Sequence, residues 1–341
     1  MKVLITGGAG FVGCNLAQVY LEKGHEVIVL DDLSRKGTRK NLNWLETIGR
    51  IVFFRQDIRD FRKLKKTIEK CGEIDVIYHM AAQVAVTTSV ADPRSDFDAN
   101  ALGTFNLLEA VRQSGKDPVI VFASTNKVYG EMMDLKVALQ GGKYQYTDMP
   151  QGVSESRQLD FHSPYGCSKG CADQYVVDYS RIYGMRTVCM RQSCIYGPRQ
   201  FGVEDQGWVA WFTIAAALGR PLTIYGDGKQ VRDILHVRDL IELFQKAYDN
   251  IENVKGMAFN VGGGTENQMS LLELIDFLEK RTGKKIKPSF DDWRPGDQKI
   301  YVSDIRKVKE HLGWEPRIGK EKGVEMLWEW VNGNKDLFKG L

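Results

Sequence analysis

The sequence predicts an α/β fold: a doubly wound parallel sheet with a smaller, mixed α/β lobe in the C-terminal part. Apolar runs of strand length alternate with helical patterns over the first two-thirds of the chain, and a glycine turn follows the first run. Strands that are apolar throughout are typical of a parallel sheet covered by helices on both faces. The runs are residues 3–7, 26–31, 51–57, 75–82, 118–125 and 186–193.

The pattern becomes mixed after residue 194. Segment 195–229, rich in glycine and aromatic residues, is predicted as loop plus helix, and 257–263 as a strand returning to the sheet. A further helix is expected to begin at the N-cap residue Ser270 and to end at Gly283. We therefore expect a nucleotide-binding domain, 1–193 with about 230–263, and a second lobe, about 194–229 with 264–341.

Charge and composition exclude several classes of protein. Among 341 residues, 47 Lys and Arg face 44 Asp and Glu, and no long block of one sign favours nucleic acid as a partner. The N-terminus lacks the pattern of a signal peptide, and no apolar run approaches the ~18 residues of a membrane helix. The six cysteines form no C-x-x-C pair, which predicts reduced, mostly buried thiols and no metal site. We expect a cytoplasmic protein with no membrane partner.

The glycine turn 7–13, GGAGFVG, lies directly between the first strand and a helix expected at 12–23. In that context the pattern indicates dinucleotide binding, because glycines let the backbone approach a pyrophosphate at a helix N-terminus. Asp31, at the end of the second strand, is placed to bind the adenosine ribose, and its charge favours NAD over NADP. The cations Arg35 and Lys36 weaken that preference, and the turn alone could be an ordinary tight turn.

A second constellation indicates proton transfer. In HSPYGCSKG (162–170), Tyr165 and Lys169 stand at i and i+4, on one face of a helix that Ser163 could cap. A tyrosine with a pKa of about 10 is a poor base at neutral pH, so a nearby ammonium should stabilise its phenolate. Thr125, at the end of an upstream strand, can position a reacting hydroxyl. The same spacing at Tyr225 and Lys229 falls in a glycine-containing loop and is interpreted as chance.

The strings TGGAGFVG, STNKVYG and YGCSK resemble the extended short-chain dehydrogenase/reductase family, which includes sugar-nucleotide epimerases and dehydratases, and the resemblance covers essentially the whole chain. It implies a Rossmann-type fold, NAD as cofactor, and a nucleotide-sugar substrate. It also implies a Thr125, Tyr165 and Lys169 triad, with Ser124 the less favoured hydroxyl. A homodimer or homotetramer, formed through helices near 103–113 and 165–183, is a further implication.

Alignment with this family extends the expected sites beyond the triad. The cofactor is expected to contact Gly7, Gly10, Phe11, Val12, Gly13, Asp31, Asp32, Ser34, Arg35, Asp57, Ile58, Ala81, Ala82, Gln83, Asn100, Tyr165, Lys169 and Ile195. The substrate is expected to contact Gln83, Thr125, Asn126, Tyr165, Arg199, Gln206, Trp208, Tyr225, Arg232 and Arg294. The two last arginines are expected at the diphosphate, which suits a planar bidentate donor. The aromatic residues at 208, 211 and 212 fit a substrate wall and a packed helix equally well.

The residues after Thr125 bear on the reaction. Sugar-nucleotide 4,6-dehydratases of this family carry Asp-Glu there, since eliminating water needs an acid and a base. Asn126 and Lys127 stand at those positions, so dehydration is disfavoured.

Longer strings, among them 83–89, 154–170 and 199–212, resemble the family's 2-epimerases of CDP-linked sugars. The implied reaction is transient oxidation at C2 to a 2-keto sugar, with hydride returned to the opposite face by a resident NAD. A 4-epimerase or broader epimerase of CDP-, GDP- or UDP-hexoses is the alternative within the family. A non-catalytic NAD sensor and a dehydrogenase with net redox turnover are the alternatives outside it.

Overall fold

The computed structural model describes residues 1–294 and 296–339; residues 295, 340 and 341, which fall in the predicted second lobe, lie outside the described part. The strands are β1 Lys2–Thr6, β2 Glu26–Asp31, β3 Ile51–Arg55, β4 Val76–His79, β5 Val119–Thr125, β6 Val137–Gln140, β7 Lys143–Tyr146, β8 Thr187–Gln192, β9 Cys194–Tyr196, β10 Thr223–Tyr225, β11 Val231–His236, β12 Ala258–Val261, β13 Gln268–Ser270, β14 Ser289–Asp291 and β15 Ile300–Tyr301. The α-helices are α1 Phe11–Glu22, α2 Thr38–Ile48, α3 Phe61–Lys70, α4 Val86–Ala91, α5 Pro93–Phe97, α6 Gly103–Ser114, α7 Ser163–Tyr183, α8 Trp208–Leu218, α9 Val237–Asp249, α10 Ile251–Val254, α11 Leu271–Thr282, α12 Arg306–Leu312 and α13 Lys320–Gly333. Within these residues, no helix is both long enough and apolar enough to cross a membrane.

Seven parallel strands form the central sheet, in the order β12-β8-β5-β4-β1-β2-β3. Each predicted apolar run contains one of these strands, and the predicted returning strand is β12, so the predicted fold class is confirmed. The reversal of strand order beside β1 opens a crevice at the carboxyl ends of the strands, which is where such sheets bind ligands.

Alternation along each strand divides the core into two layers. Val3 and Ile5 of β1 point to one face, where α1 and α9 pack, and Leu4 points to the other, where α3, α6 and α7 pack. All three side chains are fully buried. The layers hold the sheet rigidly, so the loops at its carboxyl edge are positioned from both sides.

A second lobe has its own core, built around α8, α11 and α13. Its sheet pairs β11 with β9, β13 and β15. The structure differs here from the predicted division, which assigned 230–263 to the first domain: β11 belongs to the small sheet, whereas α9 and β12 pack in the first domain. The predicted helix after Ser270 is α11, with a complete capping box at Ser270 and Glu273 and a left-handed Gly283 at its end.

The hairpin of β6 and β7 was not anticipated from the sequence. It lies against the small sheet, where Tyr144 N donates to Lys229 O at 3.2 Å and the Tyr146 hydroxyl donates to Ile300 O at 3.0 Å. The Tyr144 hydroxyl donates to Asp227 at 2.8 Å. The hairpin thus fixes the loop before β11 from outside.

Candidate active site

A cleft of about 880 Å³ lies at the carboxyl ends of β1, β2, β4, β5 and β8, between the sheet domain and the second lobe. Every predicted cofactor and substrate residue lines it except one. The exception, Asn100, lies behind the wall, where its Oδ1 accepts a hydrogen bond from Gln83 N at 2.9 Å and its Nδ2 donates to Asp96 and Ser168. Asn100 therefore positions the wall rather than facing the cleft.

The glycine turn forms one end of the cleft. Gly7 has a φ of +66°, and a Cβ there would lie 2.7 Å from Ala81 N. A Cβ on Gly13 would lie 2.3 Å from Gly7 O, so α1 can pack against the turn only through glycine. Gly10 occupies the N-cap of α1 and has no side chain to occupy the first turn's N–H groups. The result is an open helix N-terminus that suits an anionic group.

Asp31 lies beside that turn at the end of β2. Its carboxylate accepts hydrogen bonds from Ala9 N at 3.0 Å and Leu33 N at 2.8 Å, which hold it in a fixed orientation. Burial raises the pKa of Asp31, and these backbone donors act in the opposite direction. An oriented acceptor next to a phosphate-sized cradle matches the ribose of a dinucleotide.

Thr125 and Tyr165 meet at the middle of the cleft. Both side chains line the cleft, with Tyr165 in the first turn of α7 and Thr125 at the end of β5, and the Thr125 hydroxyl acts to lower the pKa of Tyr165. Ser124, one residue earlier, points to the other face of the sheet and donates to Asp173 at 2.7 Å. The pleat of the strand therefore separates the two candidate hydroxyls, and of the two only Thr125 acts on the pKa of Tyr165.

The electrostatics of Tyr165 differ from the expectation. Burial raises its pKa to about 12, while the Thr125 hydrogen bond and the charge of Arg35 act in the opposite direction. Lys169 donates to Ala123 O at 2.6 Å, and burial lowers its pKa to about 8. Desolvation therefore dominates the pKa of Tyr165, and the groups that lower this pKa are Thr125 and Arg35 rather than the expected Lys169.

Two arginines define the far end of the cleft. Arg232 pairs with Asp297 at 2.6 Å, and Arg294 pairs with Asp205 at 3.1 Å while its guanidinium lies 3.8 Å from the centre of the Tyr225 ring. Both face the cleft. A planar donor already held by a carboxylate is preorganised for a phosphate, because little freedom remains to be lost.

Arg199 and Arg35 line the cleft as predicted, and each has a further contact that the sequence did not indicate. Arg199 lines the cleft, but its guanidinium lies 3.9 Å from the centre of the Trp44 ring, which favours packing against α2. Arg35 reaches across the cleft and donates to Gln206. Predicted cofactor and substrate residues therefore meet directly at this point.

The spacing of the aromatic residues of α8 fits either a wall of the substrate site or a packed helix, and the structure shows both arrangements. Trp208 and Phe212 line the cleft, and the Trp208 indole donates to the sulfur of Cys194 at 3.4 Å. Trp211 instead lines a second, smaller cavity beside Phe338.

His162 lies near Asp160 and Glu131 at the start of α7, a position typical of a structural residue.

One cleft residue was missed as a binding group. From the sequence, Lys127 indicated only that dehydration is disfavoured, yet its ammonium enters the cleft and donates to Gly296 O at 3.0 Å. Its placement follows from the turn after β5, since Lys127 N donates to Thr125 Oγ1 at 3.2 Å. No local sequence signal identifies the distant carbonyl that it reaches.

Comparison with known proteins identifies the family. The family model described as GDP-mannose 4,6 dehydratase matches residues 4–327. A CDP-paratose 2-epimerase from Salmonella typhi is 46% identical over 337 residues, 97% of this chain and 99% of that protein. The chain belongs to the extended short-chain dehydrogenase/reductase family of sugar-nucleotide epimerases and dehydratases.

Solved structures of this family share the whole architecture. A UDP-glucose 4-epimerase from Thermus thermophilus, complexed with NAD, is 33% identical with a TM-score of 0.81, covering 98% of this chain and all of that one. A UDP-glucuronic acid 4-epimerase from Bacillus cereus, complexed with UDP-glucuronic acid and NAD, is 31% identical with a TM-score of 0.83, covering 98% and 99%. The family resemblance inferred from the sequence is confirmed along nearly the full chain.

Proposed function

We propose that this protein is an NAD-dependent 2-epimerase of a CDP-linked sugar of the paratose and tyvelose type. The observation that carries the proposal is the 46% identity to a CDP-paratose 2-epimerase, which extends over both chains almost completely. The reaction oxidises C2 to a ketone, lets the other face of the sugar turn to the cofactor, and reduces C2 again. No net oxidation results, so one bound NAD serves many turnovers.

The described residues fit NAD. At Gly7 and Gly13 a Cβ would clash with the backbone, so only glycine permits this tight turn before the open N-terminus of α1, and Asp31 provides an oriented acceptor beside it. The carboxylate of Asp31 would repel the 2′-phosphate of NADP. When bound, NAD supplies the hydride acceptor and donor for C2, and its positive ring favours ionised Tyr165.

The proton is moved by the chain's own groups. Tyr165, freed of its proton, takes the proton of the C2 hydroxyl as C2 is oxidised, and returns it when C2 is reduced. Thr125, which lines the cleft at the end of β5 and acts on the pKa of Tyr165, aligns the reacting hydroxyl. We assign Lys169, whose ammonium donates to Ala123 O at 2.6 Å and lines the cleft, to the nicotinamide ribose and to the local positive charge.

The remaining cleft residues suit a nucleotide sugar. We assign the diphosphate to Arg232 and Arg294, and the sugar or base to Asn126, Gln206 and Trp208, which line the adjoining walls. Dehydration would need a carboxylate at residue 127 to remove a carbon-bound proton. The ammonium of Lys127 does not serve as that group.

A second candidate is inversion at C4. It is supported by the solved 4-epimerases with TM-scores of 0.81 to 0.84, whose whole chains match this one. Transient oxidation by the same tyrosine and cofactor would act at either carbon. The difference lies only in which hydroxyl the cleft presents to Tyr165.

Product analysis distinguishes these reactions. Purified protein is incubated with CDP-paratose, CDP-tyvelose and UDP-galactose without added NAD, and products are assigned by NMR. We expect interconversion of the first two and no free reduced cofactor. Inversion at C4 alone would replace the C2 proposal, and stoichiometric release of reduced cofactor would indicate a dehydrogenase.

We also propose a cytoplasmic homodimer or homotetramer. The six cysteines are free, with Cys167 exposed, as suits a reducing compartment. Tyr175, Ile182 and Tyr183 of α7 are apolar or aromatic side chains at least two-fifths exposed, which suits burial against another subunit. Light scattering at several concentrations tests the assembly, and a monomer throughout would refute it.

A further inference from the structure

The ammonium of Lys127 lies in the cleft with a single hydrogen-bond acceptor. Its ammonium donates to a single backbone carbonyl, Gly296 O, at 3.0 Å, which leaves N–H groups available for other acceptors. Burial lowers the pKa of Lys127 to about 8, and the charge of Arg232 acts in the same direction. Burying part of an ammonium that has only one neutral hydrogen-bond acceptor costs free energy, unless a further acceptor binds its remaining N–H groups.

The neighbouring cations are already paired. Arg232 is bound to Asp297 and Arg294 to Asp205. Among residues 1–294 and 296–339, Lys127 has no carboxylate within 4.0 Å, and the charges of Asp297 and Glu131 act on its pKa only from further away. Its charge is therefore available to an anion that enters from solvent.

The position of Lys127 indicates which part of a nucleotide sugar it meets. Its backbone N–H is bound to Thr125 Oγ1, beside the reacting centre, while its side chain extends toward Arg232 and Cys194. A substrate with its sugar at Thr125 and Tyr165 and its diphosphate at the arginines must pass the ammonium at the join between sugar and phosphate.

We propose that Lys127 binds the phosphate that carries the sugar, a role that rests on the function proposed above and specifies it. Arg232 and Arg294 then serve the diphosphate from the other side. The positive charge at residue 127 thus has a binding role in this protein, which is separate from the acid–base work of Thr125 and Tyr165.

The test is equilibrium binding of CDP, CMP and CDP-paratose by calorimetry, using the full chain with its bound cofactor. Lys127→Met should weaken the binding of CDP and of CDP-paratose by similar factors of about 10 to 100, since a charge-assisted hydrogen bond is lost. CMP, which lacks the sugar-bearing phosphate, should bind within about threefold of wild type. Lys299→Met, an exposed neighbour of the same charge, is the control and should leave all three unchanged.

Each other outcome overturns the inference. If Lys127→Met weakens the binding of CDP-paratose but leaves the binding of CDP unchanged, Lys127 contacts the sugar rather than the phosphate. Equal weakening of CDP and CMP would mean that Lys127 only holds the loop at Gly296. Lys127→Arg should restore CDP affinity to within a few-fold of wild type, and Lys127→Gln provides a second neutral variant if Lys127→Met does not fold.

The two proposals fail separately. If CDP binding depends on Lys127 but no product is inverted at C2, the proposed reaction is wrong and the phosphate site stands. If C2 is inverted and CDP binding does not depend on Lys127, the reaction stands and the phosphate site is wrong.

Discussion

Replacing Tyr165 by Phe removes one oxygen from the centre of the proposed mechanism. The ring is 8% exposed and keeps its packing, and losing the polar contribution of its hydroxyl costs no more than about 1 kcal/mol. Thr125 Oγ1 still accepts from Lys127 N, so no buried group is left without a partner by this change. We therefore expect the variant to fold and to retain NAD.

The expected kinetic effect of Tyr165→Phe is much larger than its effect on stability. A general acid–base group contributes about 10²- to 10⁴-fold, which corresponds to about 3–5 kcal/mol in the activation barrier. The assay follows C2 inversion by NMR, and cofactor content is measured from the absorbance of denatured protein. Tyr175→Phe, on the exposed face of the same helix, is the matched control and should leave the rate unchanged.

The reasoning would be refuted by a Tyr165→Phe rate within about threefold of wild type. It would also be refuted if the rate fell only in proportion to lost NAD, because Tyr165 would then act in cofactor retention rather than in proton transfer.

Three further predictions concern the cofactor and the fold. Gly13→Ala places a Cβ 2.3 Å from Gly7 O, so the turn must move; we expect a loss of about 1–3 kcal/mol in stability and of copurified NAD, measured by thermal melting and absorbance. Asp31→Asn removes the charge that repels a 2′-phosphate and should reduce the preference for NAD over NADP at least about tenfold in binding assays; an unchanged ratio would remove Asp31 from cofactor selection. Burial raises the pKa of Asp233 to about 6, above the unfolded value of about 3.9, so its ionisation costs the folded protein about 3 kcal/mol once the pH has risen through 4 to 6. Asp233→Asn should therefore melt higher than wild type at pH 8 and lose that advantage near pH 4, and a difference that does not vary with pH would contradict the assignment.

Local sequence patterns predicted much of the fold because they act over short distances. The buried strands are continuous apolar runs, and α11 has both of its end signals in the chain, a capping box at Ser270 and Gly283 in the left-handed conformation. The glycine turn was recognisable because backbone geometry leaves no room for other residues at Gly7 and Gly13. Thr125 could be favoured over Ser124 only through the family resemblance, although the pleat that separates them follows from strand geometry.

Long-range contacts account for what the sequence did not reveal. β11, with the sequence VRDILH, carries three polar residues but no signal that assigns it to a sheet, and its pairing with β9, β13 and β15 places it in the other lobe. Arg199 lines the cleft, and its guanidinium also lies against the ring of Trp44, a residue 155 positions earlier in the chain that no local pattern connects to it. Lys127 reaches a carbonyl at Gly296 that no spacing connects to it. Which distant group such a side chain contacts depends on how the two lobes pack together.

The most direct test of the central claim is the fate of hydrogen at C2. CDP-paratose labelled with deuterium at C2 is incubated with the purified protein in ordinary water, without added NAD, and the product is assigned by NMR. Transient oxidation with return of the same hydride predicts CDP-tyvelose, inverted at C2, that retains deuterium at that carbon. Loss of deuterium to solvent, or inversion at C4 with C2 untouched, would contradict the account.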